Sequence, residues 1–291
     1  MFIATLIAEG LSSGQLDAAV DRLAAAGCAP GTWRWLDHGV AADLPFSQDP
    51  DAARAALEGA VAGDVIVQVE AHREKKLLVA DMDSTMITVE CIDELADYAG
   101  IKPQIAEVTE RAMRGELDFA SALDARVALL KGLSETAIDR CLEERVRLMP
   151  GAEALVQTMR ARGAHTILVS GGFTRFAEPV GTRIGFDRRI ANVLEIADGV
   201  LTGAVTKPIV DSGTKETTLL GAMAELGLAP EQTMAVGDGA NDLAMIRKAG
   251  LGVAYHAKPI VAAAAGARID HGDLTALLYA QGIPCNEWVT A

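Results

Sequence analysis

Two aspartates one residue apart, Asp81 and Asp83, follow the apolar run Leu77-Leu78-Val79-Ala80 and precede the hydroxyls of Ser84 and Thr85. A short run of small and apolar residues reads as a strand buried on both faces. Side chains alternate along a strand, so the two carboxylates share a face if the extension continues. At the carboxyl end of a parallel strand they stand where open α/β sheets bind ligands. Two anions so close repel unless a cation joins them or one keeps a proton. A hard divalent ion resolves the repulsion, and Mg2+ favours carboxylate oxygens together with a substrate phosphate. The chemistry this suits is phosphoryl transfer. Asp81 is the expected nucleophile, forming an aspartyl-phosphate that splits one hard hydrolysis into two easier steps. Asp83 suits general acid–base work, protonating the leaving oxygen and later deprotonating water. The bland alternative is a strand end with a polar turn, and only partners elsewhere in the chain can displace it.

Such partners follow in order. Thr166-Ile167-Leu168-Val169 ends in Ser170-Gly171-Gly172, and Thr233-Met234-Ala235-Val236 ends in Gly237-Asp238-Gly239-Ala240-Asn241-Asp242. Glycines flanking Asp238 let the backbone approach a cation, so Asp238 is expected to complete the metal site. Asp242 reads either as a group behind the metal ligands or as the N-cap of the next helix. Ser170 and the amides of Gly171 and Gly172 are expected at a strand-to-helix turn, where exposed amides take an anion. By itself S-G-G is an ordinary glycine turn. Lys215 opens a helix, where a cation is mildly disfavoured. That misfit suits neutralising phosphate charge in the transition state. Standing alone, it would read as an exposed lysine beside Glu216.

The elements that must position these groups can be read from periodicity. Strands are expected over Phe2 to Ala8, Thr32 to Leu36, Gly39 to Leu44 and Asp64 to Val69, with helices over Gln15 to Ala26 and Asp51 to Ala60. That β-α-β-β-α-β order is the ferredoxin-like plan, and it resembles the small ACT-type regulatory domains. Residues 1–72 are therefore expected to form an α+β domain for regulation or dimerisation, with a serine effector and a homodimer as possibilities. His72-Arg73-Glu74-Lys75-Lys76 reads as a solvated linker. From residue 73 onward, strands alternate with helices, which implies a doubly wound, mainly parallel α/β sheet. Helices at Ile105 to Arg114, Phe119 to Leu130 and Glu135 to Arg145 interrupt it, so a helical cap is expected at about 88–149. Pro179 is expected to end or kink its helix early. Asp198-Gly199 between alternating apolar residues signals a hairpin.

Composition narrows the partners. The chain has 291 residues and a formal net charge of −14, which argues against nucleic acid and anionic membranes. Cys28, Cys91, Cys141 and Cys285 show no metal or disulfide spacing and read as thiols in a reducing compartment. Met1 to Ala8 lacks a basic flank and is followed by Glu9, so it reads as a strand rather than a leader. No apolar run reaches the roughly 18 residues of a membrane helix. A cytoplasmic protein is expected.

D-x-D-x-T, a serine after the next core strand, a later lysine and G-D-G-x-N-D, in that order, resemble the haloacid-dehalogenase-like phosphohydrolases, whose fold is a Rossmann-like sheet with an inserted cap. The resemblance covers Lys76 to about Gln281. Val79 to Thr85 with Glu90, Ser170 to Phe173, Asn192-Val193-Leu194-Glu195 and Lys215 are more similar still to the phosphoserine phosphatases within that superfamily. The resemblance implies Mg2+-dependent hydrolysis of O-phosphoserine, the last step of serine biosynthesis. It implies that Asp81, the backbone oxygen of Asp83, and Asp238 hold Mg2+. Ser170, Gly171, Lys215 and Asn241 would hold the phosphate. Glu90 would meet the substrate ammonium and Arg126 its carboxylate, with Met113 and Phe119 as an apolar wall. Read from the residues alone, Glu90 and Arg126 are solvated helix charges. Two alternatives stand beside this one: a related phosphatase or phosphotransferase for another small phosphomonoester, and a non-catalytic amino-acid-sensing protein.

Overall fold

The computed structural model describes residues 1–113 and 116–289, apart from the side chain of Met113. The first 69 residues run β1 (Phe2–Ile7), α1 (Ser13–Ala25), β2 (Arg34–Asp37), β3 (Ala41–Phe46), α2 (Pro50–Leu57) and β4 (Asp64–Val69). The helix α1 starts where Ser12 accepts from the Gln15 amide and Gln15 reaches back to the Ser12 amide, a capping box. The strands form an antiparallel sheet in the order β2-β3-β1-β4, the ferredoxin-like arrangement expected from the element order. Alternation divides its residues cleanly. Ala4, Leu6, Ala42, Leu44, Phe46 and Val67 pack with Leu16, Leu23, Ala53 and Leu57 of the two helices. The opposite face carries Thr5, Ile7, Ala41, Asp43, Ile66 and Gln68, and its apolar members join the core of the following part.

That part begins with β5 (Leu77–Ala80), followed by α3 (Cys91–Tyr98), α4 (Lys102–Met113), α5 (Phe119–Leu129), α6 (Glu135–Glu144) and α7 (Ala152–Ala161). It continues through β6 (His165–Phe173), α8 (Thr174–Ile184), β7 (Arg188–Asn192), β8 (Leu194–Ala197), β9 (Val200–Val205), α9 (Ser212–Leu226) and β10 (Thr233–Gly237). The chain then forms α10 (Leu243–Lys248), β11 (Leu251–Tyr255), α11 (Pro259–Ala262), β12 (Ala267–Ile269) and α12 (Ala276–Ala280). Six strands pair in parallel in the order β12-β11-β10-β5-β6-β7. Leu77, Val79, Ile167, Val169 and Ala235 meet Leu219 and Ala222 of α9 on one face. Leu78, Ala80, Leu168, Met234 and Val236 meet Leu155, Val156, Phe176 and Leu278 on the other. Cover on both faces is why these strands read as unbroken apolar runs.

Helices α3 to α6 form the expected insert above the sheet edge. The β8–β9 hairpin joins them: Gly132 N–H donates to Leu201 O at 2.8 Å, and Leu201 N–H donates to Leu133 O at 2.9 Å. Three expectations need correction. Ser170, Gly171 and Gly172 lie inside the extended end of β6, not at a turn, because Asn192 holds the carbonyl of Gly171 at 2.8 Å and pairs in register with Phe173. Pro179 sits within α8 without ending it. Burial of Phe176, Ala177, Val180 and Ile184 outweighs the missing amide bond. The charged run 72–76 is not a solvated linker, since Lys75 is only 4% exposed and donates to the carbonyls of His72 and Glu231.

Arg73, in the same run, closes the contact between the two parts of the chain. It pairs with fully buried Asp43 at 2.6 Å and donates to Thr5 Oγ1 and to the carbonyls of Tyr279 and Ala280. Asp64 accepts the amides of Asp270, His271 and Gly272 beside it. Without Arg73, buried Asp43 keeps only Thr5 Oγ1 and the more exposed Arg34, 3.3 Å away, so Arg73→Ala is expected to lower stability by about 2 kcal/mol. Urea denaturation checks this, and a loss no larger than that of an exposed arginine contradicts it.

Candidate active site

The carboxyl ends of β5, β6 and β10 bring the expected groups to one edge. Asp81 continues β5 and is anchored to the sheet through its amide on Val236 O at 3.0 Å. Its Oδ1 accepts from the Met82 amide at 2.8 Å and lies 2.6 Å from Lys215 Nζ. Oδ2 carries neither contact. Lys215 is the fourth residue of α9 and is fully buried, not exposed beside Glu216. Its ammonium also reaches Asp242 Oδ1 at 2.6 Å. Burial alone would lower the lysine, but the carboxylates of Asp81 and Asp242 outweigh it and hold the ammonium above its ordinary range.

Asp242 directly precedes α10 yet its side chain caps none of that helix's amides. Its other oxygen accepts the Gly239 amide at 3.0 Å instead. Gly237 makes room, since a Cβ there would fall 2.4 Å from the Asp242 carboxylate. Asp238 is half-buried and accepts from Thr85 Oγ1 at 3.3 Å. One carboxylate oxygen from each of Asp81, Asp238 and Asp242 lies within 4.8 Å of the others. Such an all-oxygen set suits a hard divalent cation. Both oxygens of Asp242 are already engaged, which leaves Asp81 and Asp238 as the freer ligands. Burial, then the charges of Asp81 and Glu90, push Asp238 up to about 6.

Asp83 receives the Cys91 amide at 3.3 Å. Burial foremost, then the Glu90 charge, push its carboxyl well above the usual range, so it holds a proton where a free aspartate would not. Gly172 is the contact that lets Asp83 and Ser170 meet: a Cβ there would stand 2.9 Å from Asp83 Oδ2 and 3.0 Å from Ser170 Oγ. Ser170 Oγ accepts the Gly172 amide at 2.8 Å. Asn192 ties this edge to the approach of α9, bonding Gly171 O at 2.8 Å and accepting from the Val210 amide at 2.7 Å. Asn241 lies in the loop after β10.

The cap supplies the remaining expected residues. Phe119 opens α5 and places its ring over Gly171, where a Cβ would stand 3.1 Å from Cζ. Glu90 precedes α3 and accepts from Ser84 Oγ at 2.7 Å. Arg126 of α5 is partly buried: burial lowers its guanidinium, and the nearby carboxylates of Asp93 and Glu90 oppose that. The side chain of Met113 lies outside the described residues. Sequence reading missed Cys91 and Ser84. Neither type signals chemistry, and only their adjacency to Glu90 and Asp83 could have drawn attention.

Residues 75–250 match the model of the haloacid dehalogenase-like hydrolases. The chain belongs to that family. Among curated proteins it resembles, a phosphoserine phosphatase of Albidiferax ferrireducens is 49% identical over 208 residues, covering 70% of this chain and 88% of the relative. The crystal structure of a probable phosphoserine phosphatase from Vibrio cholerae is 34% identical with a TM-score of 0.75, covering 96% of this chain and 88% of that one. A substrate-bound phosphoserine phosphatase complex is 37% identical with a TM-score of 0.65, covering 70% of this chain and 97% of that one.

Asp83 and Asp238 hold protons more tightly folded than unfolded. Their contribution to stability is therefore greatest at acidic pH and falls as pH rises through their folded values, near 6 for Asp238. A divalent cation held by Asp238 must displace the proton of that carboxyl, so its stabilisation grows with pH. The melting shift on adding Mg2+ is expected to be larger at about pH 8 than at about pH 5. Equal shifts at both contradict the cation site.

Proposed function

We propose that this chain is a Mg2+-dependent phosphatase that hydrolyses O-phospho-L-serine to L-serine and phosphate through an aspartyl-phosphate on Asp81. The observation that carries the reading is the buried Lys215 ammonium, 2.6 Å from both Asp81 and Asp242 at the edge where β5 and β10 end. Asp81 attacks phosphorus. Asp83, kept protonated by burial, gives its proton to the serine oxygen and then takes one from water. Ser170, the Gly171 amide, Lys215 and Asn241 hold the phosphoryl oxygens. Asp81, the backbone oxygen of Asp83, and Asp238 hold Mg2+, with Asp242 orienting Lys215 behind them. The ion, when bound, offsets the repulsion between nucleophile and phosphate.

The cap selects the rest of the substrate. Glu90 takes the ammonium, Arg126 the carboxylate through two parallel hydrogen bonds, and Phe119 with Met113 closes the pocket. A curated relative 49% identical over 208 residues is named a phosphoserine phosphatase, which supports the same substrate here. The reaction would be the last step of serine biosynthesis in the cytoplasm. No described helix is long and apolar enough to cross a membrane.

Residues 1–72 are read as an ACT-like domain and 73–291 as the phosphatase domain. A cavity of about 210 Å³ lined by Phe2, Arg54, Gln68, Lys75 and Glu231 gives room for a small effector such as serine. The inner face of the N-terminal sheet is covered by the same chain, so a homodimer would use α1, α2 or the edge strand β2.

The deciding assay is phosphate release from O-phospho-L-serine with Mg2+, repeated with a chelator. Asp81→Asn is expected to abolish turnover. Arg126→Ala is expected to cut kcat/KM for phosphoserine about 100-fold while leaving phosphoethanolamine, which lacks the carboxylate, within a few fold. Equal losses on both would favour another small phosphomonoester as substrate. Full turnover by Asp81→Asn would sink the mechanism.

A further inference from the structure

Ser84 holds a backbone conformation that serine rarely takes. Its φ is +55°, in the left-handed region that favours glycine. Its neighbours are engaged elsewhere: Thr85 Oγ1 donates to Asp238, and Asp83 receives the Cys91 amide. The Ser84 hydroxyl donates to Glu90 Oε1 at 2.7 Å. Glu90 stands at the N-cap of α3, where a side chain ordinarily accepts from the helix's own first amides. It makes no such bond. It is an exposed glutamate, and holding one such side chain in a single rotamer costs conformational entropy.

Two hydrogen bonds therefore pin residues 83–84 to residues 90–91: Cys91 to Asp83, and Ser84 to Glu90. The second matters because the Arg126 guanidinium is near enough to feel Glu90. A glutamate free to swing onto that arginine would neutralise both groups that a zwitterionic substrate needs. Held by Ser84, it stays beside Asp83, between the cap and the catalytic edge.

We propose that Ser84 is a positioning residue whose hydroxyl fixes the Glu90 carboxylate for a substrate ammonium, so that selection for aminated phosphomonoesters is built into the same short motif as the two catalytic aspartates. The inference rests on the reading of Glu90 as the ammonium partner. Ser84→Gly tests it cleanly, because glycine accepts the left-handed backbone and loses only the hydroxyl.

The measurement compares kcat and KM for O-phospho-L-serine and for 3-phosphooxypropanoate, which lacks only the ammonium. The wild type is expected to prefer phosphoserine, and Glu90→Gln to erase that preference. Ser84→Gly is expected to lose about tenfold in kcat/KM for phosphoserine, carried by KM, and less than about twofold for the other ester. Ser84→Asn tolerates the same φ and keeps an uncharged N–H donor, so it is expected to keep more of the preference than Ser84→Gly if the hydrogen bond rather than the turn is what glycine removes. A merely structural serine would lower both substrates alike. Equal losses, or no loss, while Glu90→Gln still removes the preference would overturn the role of Ser84 alone. A preference that survives Glu90→Gln would overturn the reading of Glu90, and this inference with it.

Discussion

Lys215 carries its charge where no water reaches it, between the carboxylates of Asp81 and Asp242 at 2.6 Å each. A buried ammonium is tolerated only when paired and hydrogen-bonded, so the three groups stand or fall together. Asp242 spends one oxygen on the lysine and the other on the Gly239 amide, which fixes the loop after β10. Asp238 is presented from that loop. Asp81 spends Oδ1 on the lysine and on Met82, which leaves Oδ2 for chemistry. One interaction thus sets the proposed nucleophile Asp81, the loop that carries the proposed metal ligand Asp238, and a buried positive charge in a chain of net charge −14.

The parallel sheet makes this possible by delivering three strand ends to one place, and glycine lets them close. At Gly237 a side chain would strike Asp242, and at Gly172 it would strike Asp83 and Ser170. Two residues of the insert meet this edge. Phe119 covers Gly171, and Glu90 is held to Ser84. Exclusion of water raises the proton affinity of Asp83, which is the condition for an aspartate to serve as an acid near neutral pH.

Much of this was legible in the sequence, for a physical reason. Strands covered on both faces must be continuous apolar runs, so Leu77–Ala80 and Thr233–Val236 announced themselves, and the polar residues that ended them could only be at the edge. The half-covered strands β1, β3 and β4 alternate, which gave the ferredoxin-like order. What was hidden depended on partners distant in sequence. Arg73 and Lys75 look like a solvated charge run because Asp43 and Glu231 lie 30 and 156 residues away. Lys215 was singled out by its misfit at a helix start, but its ion pair with Asp242 was not legible, because that partner lies in the loop after β10. Pro179 looked like a stop because local propensity carries no record of the tertiary burial around it. Cys91 bonds Asp83 through its backbone amide, which no residue type advertises.

The claim on which the account turns is that Asp81 becomes covalently phosphorylated during turnover. Rapid acid quench with phosphoserine and Mg2+, then borohydride reduction and peptide mass spectrometry, reads this directly, because an acyl phosphate is reduced where a free carboxylate is not. The account predicts a reduced residue at position 81, appearing within a turnover and absent without substrate. Turnover with position 81 unmodified, or the modification at another carboxylate, would contradict it.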